Sequence, residues 1–303
     1  MVRTEEEPIR IVGFMPTPFT EDERIDVARL TALSEQIASV GVHPAVLGGM
    51  GEYYALNKEE SRECMTAAIA GARGVPVVAG IGWSTREAEQ LATDAGMLGV
   101  DTLVINPPYY AKPSPQGYAE HVRRVTEAAG IGAIVYSSAH YPMTEAHLEQ
   151  LASVDGFLGV KEEHYSVAET ANRIAVWGER IQWWGVGEMG GSAYARVGAD
   201  AVTSSLSNIR PDLAVRAITA LVNGTEDADA IQAAQAWQTA LGADQQGSPA
   251  FLTEVMHRVA GWNRAVRLPL LPSDPESQEA VETFLRTWAA EAIGHNAFAG
   301  RTR

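Results

Sequence analysis

Hydrophobic and polar positions follow a two-part pattern that recurs along the chain. Short apolar runs rich in Val and Ile stand at Ile11–Met15, Ala45–Gly48, Pro76–Ile81, Thr102–Asn106, Ala133–Ser137, Phe157–Lys161, Gln182–Val186 and Ala201–Ser205. Each is followed by a longer stretch with apolar residues at helical spacing. The runs start roughly every 20–35 residues, the repeat length of a strand plus a helix. They show little polar alternation, which fits parallel strands covered on both faces. Several are preceded by glycine (Gly41-Val42, Gly74-Val75, Gly99-Val100, Gly132-Ala133, Gly198-Ala199), suiting a left-handed helix cap before a buried strand.

Eight such units predict a (β/α)8 TIM barrel over residues 8–223. An open doubly wound sheet is the alternative, but the strand–helix turns carry neither GxGxxG nor GxxxxGK[ST]. After Ser207 the strand pattern stops. Segments 211–223, 226–242, 248–260 and 276–291 keep helical spacing, with Pro211 at a start and Gly224 past an end. These are read as the eighth barrel helix and a C-terminal helical extension over 224–293, followed by a tail at 294–303.

Composition narrows the function. The chain has 303 residues, enough to bury ~75% of its unfolded surface without disulfides or metals. With 38 acidic against 23 basic residues the net charge is −15, which disfavours nucleic acid as a partner. No run of 18 apolar residues predicts a membrane span. Cys64 is the single cysteine; it excludes an intramolecular disulfide, fits a reducing compartment, and reads as a small buried group rather than a nucleophile. The polar start MVRTEEEPIR resembles no secretory or mitochondrial signal, so a cytoplasmic location is expected.

Only three of the basic residues are lysines: Lys58, Lys112 and Lys161. In a barrel of this kind the active site is built at the C-terminal ends of the strands. Lys161 closes the apolar run Gly156-Phe157-Leu158-Gly159-Val160, so its stem is expected against the barrel interior. Desolvation there favours the neutral amine, a nucleophile towards ketones. The other reading is an internal lysine paired with Glu162, Glu163 or Glu52. Lys58 and Lys112 lie in polar surroundings and read as surface residues. Tyr136 ends the neighbouring strand; its phenol either shuttles protons or packs over the barrel mouth. Tyr109 and Tyr110 follow Pro107-Pro108, where loop packing is equally open. The turn Gly48-Gly49-Met50-Gly51 is either a tight turn or a nest of backbone N–H groups able to hold a carboxylate.

Taken together, these residues resemble the dihydrodipicolinate synthase/N-acetylneuraminate lyase family over roughly residues 10–290. The likeness lies in GGMGEYYAL (48–56), PPYYAKP (107–113), VY (135–136) and GVKE (159–162), four motifs in order at the expected strand ends. It implies a (β/α)8 lyase, aldolase or dehydratase, that joins one lysine to a 2-oxo acid as an imine. Neither a metal nor an organic cofactor is implied, and the expected assembly is a homotetramer, a dimer of dimers. Lys161 would form the imine. Tyr136 would transfer protons, and Tyr110 would join a relay shared between neighbouring subunits. Gly48, Gly49 and Met50 would hold the carboxylate through backbone N–H groups. Glu188 and Ser205 match positions that meet distal hydroxyls of sugar-acid substrates, and Thr203 a backbone contact near the keto acid.

Two departures sharpen this. The central loop positions are commonly Ser or Thr in the family, but Gly49 and Met50 offer no hydroxyl. Members that make dihydrodipicolinate usually carry an arginine shortly after the strand-5 tyrosine, whereas Tyr136-Ser137-Ser138-Ala139-His140-Tyr141-Pro142 has none. The loop together with Ser204-Ser205 and Asn208 resembles the 5-dehydro-4-deoxyglucarate dehydratase branch. Dihydrodipicolinate synthesis proper and a barrel that binds keto acids without turnover are the alternatives. His164 reads as a surface histidine, as a supporting base, or as a contact to an uncommon substrate group.

Overall fold

A computed structural model describes residues 8–108, 110–242 and 248–288. Eight parallel strands close into a barrel in sequence order. They are β1 (Arg10–Phe14), β2 (His43–Val46), β3 (Val78–Ile81), β4 (Thr102–Ile105), β5 (Ala133–Ser137), β6 (Phe157–Glu162), β7 (Gln182–Gly185) and β8 (Ala201–Ser204). Around them lie α1 (Val27–Ala38), α2 (Lys58–Ala72), α3 (Thr85–Leu98), α4 (Pro115–Ala129), α5 (Glu145–Leu151), α6 (Val167–Trp177), α7 (Ser192–Ala195) and α8 (Pro211–Asn223). Three more helices follow, α9 (Ala228–Leu241), α10 (Ser248–Ala260) and α11 (Pro275–Trp288). The (β/α)8 expectation is met, with strand ends within two residues of those read from the sequence. The tail expected at 294–303 lies outside the described residues.

Local chemistry explains the element ends. Asn57 and Ser166 form reciprocal capping boxes with Glu60 and Glu169 at the starts of α2 and α6. Gly41, Gly74, Gly99 and Gly198 take positive φ before their strands. The α4–β5 turn differs from expectation: Gly130 adopts the left-handed cap, not Gly132, because α4 already ends at Ala129.

Side chains alternate between two cores. Val12, Ala45, Val78, Val104, Ile134, Trp184 and Ala201 fill the barrel interior. Val46, Ala79, Leu103, Val135, Val160 and Trp183 face the helices. On β6 this alternation is interrupted: Ala133 pairs with Phe157, but Ile134 pairs with Gly159. The bulge adds one residue between Leu158, which packs inside, and Val160, which packs outside. It therefore turns Lys161 inward, where unbroken alternation from Leu158 would send it out. Gly159 is required there, since a Cβ would lie 2.0 Å from the Gln182 carbonyl oxygen.

Candidate active site

The C-terminal strand ends open into a cavity of about 780 Å3 lined by Lys161, Tyr136, Gly48, Gly49, Met50, Glu188, Thr203 and Ser205. Eight of the nine residues expected to form a site thus meet in one place. Tyr110 does not: it is 88% exposed and lies on the surface outside that lining. Tyr109 lies outside the described residues.

β5 and β6 set the centre. Tyr136 is directly opposite Lys161 in the parallel register, and the Lys161 Nζ lies 3.9 Å from the Tyr136 ring centroid and 5.5 Å from that of Phe14. Protein surrounds the amine while the cavity leaves part of its side chain within reach of a small molecule. Burial lowers its pKa from 10.5 to about 7, with no charged partner offsetting the desolvation. Close to half of such amines are neutral at pH 7, against ~1 in 2,500 in water.

The carboxylates considered as partners for Lys161 are engaged elsewhere. Glu162 faces away from the barrel interior, accepting from the His164 and Tyr165 backbone N–H groups at 2.7 and 3.0 Å with Arg173 at 3.6 Å. Glu52 accepts from the Arg267 backbone N–H at 2.8 Å, and burial pushes its carboxyl up to about 7. Glu163 faces the cavity and takes a hydrogen bond from the Tyr136 hydroxyl. Partial desolvation raises its pKa above the usual carboxylate range.

The β2 turn folds back on itself. Gly51 and Tyr53 donate to the Gly48 carbonyl at 3.1 and 3.3 Å, and Glu52 donates to Gly49 at 3.2 Å. The Thr17 hydroxyl holds the Gly51 carbonyl at 2.7 Å. The backbone N–H groups of Gly49 and Met50 donate to no acceptor among the described residues, and a Cβ on Gly49 would meet nothing within 4 Å. The turn therefore leaves two donors beside open cavity.

Across the cavity, Glu188 is buried in a π-helical turn over Gly187–Gly191. Its Oε1 accepts from the Ser204 hydroxyl and the Ser205 and Leu206 N–H groups at 2.7–2.9 Å. That oxygen anchors the end of β8. Asn208 likewise ties this loop to β1, donating to the Phe14 and Ser205 carbonyls. The Ser205 hydroxyl accepts from the Trp237 indole at 2.8 Å, so α9 covers one wall. Thr203 lines the floor, with its hydroxyl 3.4 Å from the Gly187 N–H. The contributions of Glu163, His140 and Trp237 were not evident from sequence. Glu163 carried one signal, its position two residues after Lys161 at the strand end.

Other candidates fall outside. His164 is exposed, its ring edge-on to Tyr165 at 4.7 Å. Lys58 pairs with Asp94 at 3.2 Å, and Lys112 is exposed. Cys64 is fully buried, which pushes its thiol up to about 12. Among the described residues no group of three or more His, Cys, Asp or Glu is arranged to hold a metal ion, and no helix is long and apolar enough to cross a membrane.

An inward, desolvated amine beside a tyrosine, at the strand ends of a (β/α)8 barrel, is the arrangement anticipated from GVKE and VY. Residues 7–288 match the Dihydrodipicolinate synthetase family. The chain belongs to this family. Members of the dihydrodipicolinate synthetase family are lyases of the class I aldolase type, and this chain is one of them. It is 30% identical over 223 residues to a probable 5-dehydro-4-deoxyglucarate dehydratase of Rhodococcus opacus, covering 71% of this chain and 72% of the relative. It is 33% identical over 215 residues to a 4-hydroxy-tetrahydrodipicolinate synthase of Nitrobacter hamburgensis, covering 69% and 72%. Among solved structures, dihydrodipicolinate synthase of Bacillus clausii aligns with TM-score 0.82 at 26% identity over 92% of this chain and 97% of that one. The sialic acid aldolase of Ruminococcus gnavus shares the fold with TM-score 0.84 at 18% identity over 94% and 98%.

Proposed function

We propose that the protein cleaves or dehydrates a 2-oxo acid, pyruvate-derived or a keto-deoxy sugar acid, through an imine on Lys161. The observation that carries this is the uncompensated burial of the Lys161 amine, which supplies a neutral nucleophile near pH 7. The amine adds to the ketone carbon and the adduct loses water. The protonated imine then accepts the pair of the C3–C4 bond in aldol cleavage; in dehydration it accepts the pair of a C3–H bond, and the enamine so formed expels the C4 hydroxyl, which leaves with its bonding pair and a proton as water. Tyr136 delivers and removes the protons needed by the steps that follow imine formation. The Gly49 and Met50 N–H groups receive the substrate carboxylate without adding a basic residue to an acidic molecule.

In this reading Glu188, Thr203 and Ser205 form the wall facing the distal end of the substrate. Lys161 is the only lysine or arginine among the described lining residues, which speaks against a second carboxylate-bearing substrate and so against dihydrodipicolinate synthesis. Among the described residues, the barrel and the helices that follow it act as one unit, because Trp237 reaches Ser205. We further infer a cytoplasmic homotetramer built as a dimer of dimers, in which the exposed Tyr110 meets a neighbouring copy and joins its relay. Sedimentation tests the assembly, and a clean monomer would contradict it.

A panel of 2-oxo sugar acids tests the reaction. Aldol cleavage releases pyruvate, and dehydration consumes substrate without releasing it. No consumption of any member, together with no covalent adduct, overturns the proposal.

A further inference from the structure

The Tyr136 hydroxyl has a partner that the lysine–tyrosine chemistry leaves without a role. Glu163 follows the last residue of β6, and its backbone N–H donates to the Ser137 carbonyl at 3.0 Å, continuing the ladder with β5. Two residues beyond the inward-turned Lys161, it faces the cavity, while Glu162 between them points out towards Arg173. The Tyr136 hydroxyl donates to the Glu163 carboxylate, and Glu163 itself is exposed at the cavity mouth. On the opposite side, Gly49 and Met50 offer no hydroxyl through which a proton could leave the phenol.

We propose that Glu163 is the proton-relay partner of Tyr136, exchanging the phenolic proton with bulk water at the mouth of the site. The inference rests on the imine reading above. In the step it describes, the Tyr136 O–H proton passes to the Glu163 carboxylate as the phenol oxygen takes a proton from C3 of the imine. The C3–H bonding pair becomes the enamine double bond, and the C=N pair moves to nitrogen and neutralises the iminium. Glu163 is then a neutral acid that gives its proton to water. The reverse sequence returns a solvent proton to C3.

Pyruvate serves as the probe, since exchange of its methyl protons in D2O, followed by proton NMR, reads this step without knowledge of the natural substrate. Borohydride trapping of pyruvate, run in parallel, reads imine formation alone. At saturating pyruvate Lys161 is held in the imine, so its own titration does not shape the exchange profile. Tyr136 bonds Glu163 directly and Tyr194 senses its charge; the other titratable groups lining the cavity are Tyr53, Tyr54, His140 and Glu188. E163Q is expected to trap pyruvate as the wild type does while its exchange rate falls about 100-fold or more, the scale of acid–base catalysis. The wild-type rate should fall on acidification as Glu163 takes up a proton, and E163Q should lose that limb. E163D, which keeps a carboxylate, should restore the limb and much of the rate.

Exchange in E163Q within about threefold of wild type, with the acid limb intact, overturns the relay. So does a wild type that traps pyruvate without exchanging its protons. If E163Q fails to trap, E163D decides alone: exchange with a displaced acid limb supports the relay, and an unmoved limb overturns it. A wild type that traps nothing instead defeats the imine reading on which the relay stands.

Discussion

Replacing Lys161 with methionine should stabilise the protein, and the gain should depend on pH in a defined direction. The lysine titrates at 10.5 when solvated and at about 7 in the fold, because burial penalises its charge. Between those values the unfolded chain binds one proton more than the folded chain, so the wild type gains stability as pH rises. Each pH unit in that window is worth about 1.4 kcal/mol, and near neutrality the accumulated penalty is about 4 kcal/mol. Methionine is of similar length and suits contact with the Phe14 and Tyr136 rings, and it carries no charge to desolvate. Urea unfolding near pH 7.5 and near pH 9.5, at equal protein concentration, should show the variant more stable by about 4 kcal/mol at the lower pH and by well under half of that at the higher. The comparison cancels every other titrating group that the substitution leaves alone. An advantage that is the same at both pH values would mean that Lys161 is charged in the fold and no nucleophile near neutrality, and a variant less stable than wild type at both would contradict the desolvation penalty.

Tyr136→Phe should leave borohydride trapping intact while slowing pyruvate proton exchange by a factor of about 10²–10⁴, with half-saturation moved by no more than about threefold; equal losses in both would count against proton transfer. Gly159→Ala forces a Cβ onto the Gln182 backbone. It should lower unfolding stability by about 2 kcal/mol or more and reduce trapping, because the bulge that turns Lys161 inward is disturbed. Wild-type stability with wild-type trapping would refute that role for the bulge.

Much of the barrel was legible because its strands are buried on both faces, so Thr102–Ile105 or Ala133–Ser137 stand out as apolar runs between helical stretches. Lys161 was legible because it ends such a run. Its inward direction was not secured by the run itself: strict alternation from Leu158 sends it outward, and only the pairing of Ile134 with Gly159 reveals the bulge. Glu163 was considered solely as a partner for the lysine, since sequence spacing cannot say that the Tyr136 hydroxyl reaches it first. The wall made by Trp237 was hidden for a different reason, its contact with Ser205 spanning 32 residues and two elements of separate helical pattern. Tyr110 was expected in the site and stands outside it in the single chain.

An imine between Lys161 and a 2-oxo acid would be fixed by hydride as a stable secondary amine. Borohydride reduction in the presence of pyruvate, followed by peptide mass mapping, tests for it directly. A reduced pyruvyl group on Lys161, absent from Lys58, from Lys112 and from a Lys161→Met control, is the result expected. An unmodified Lys161 with pyruvate and with several larger 2-oxo acids would contradict the account.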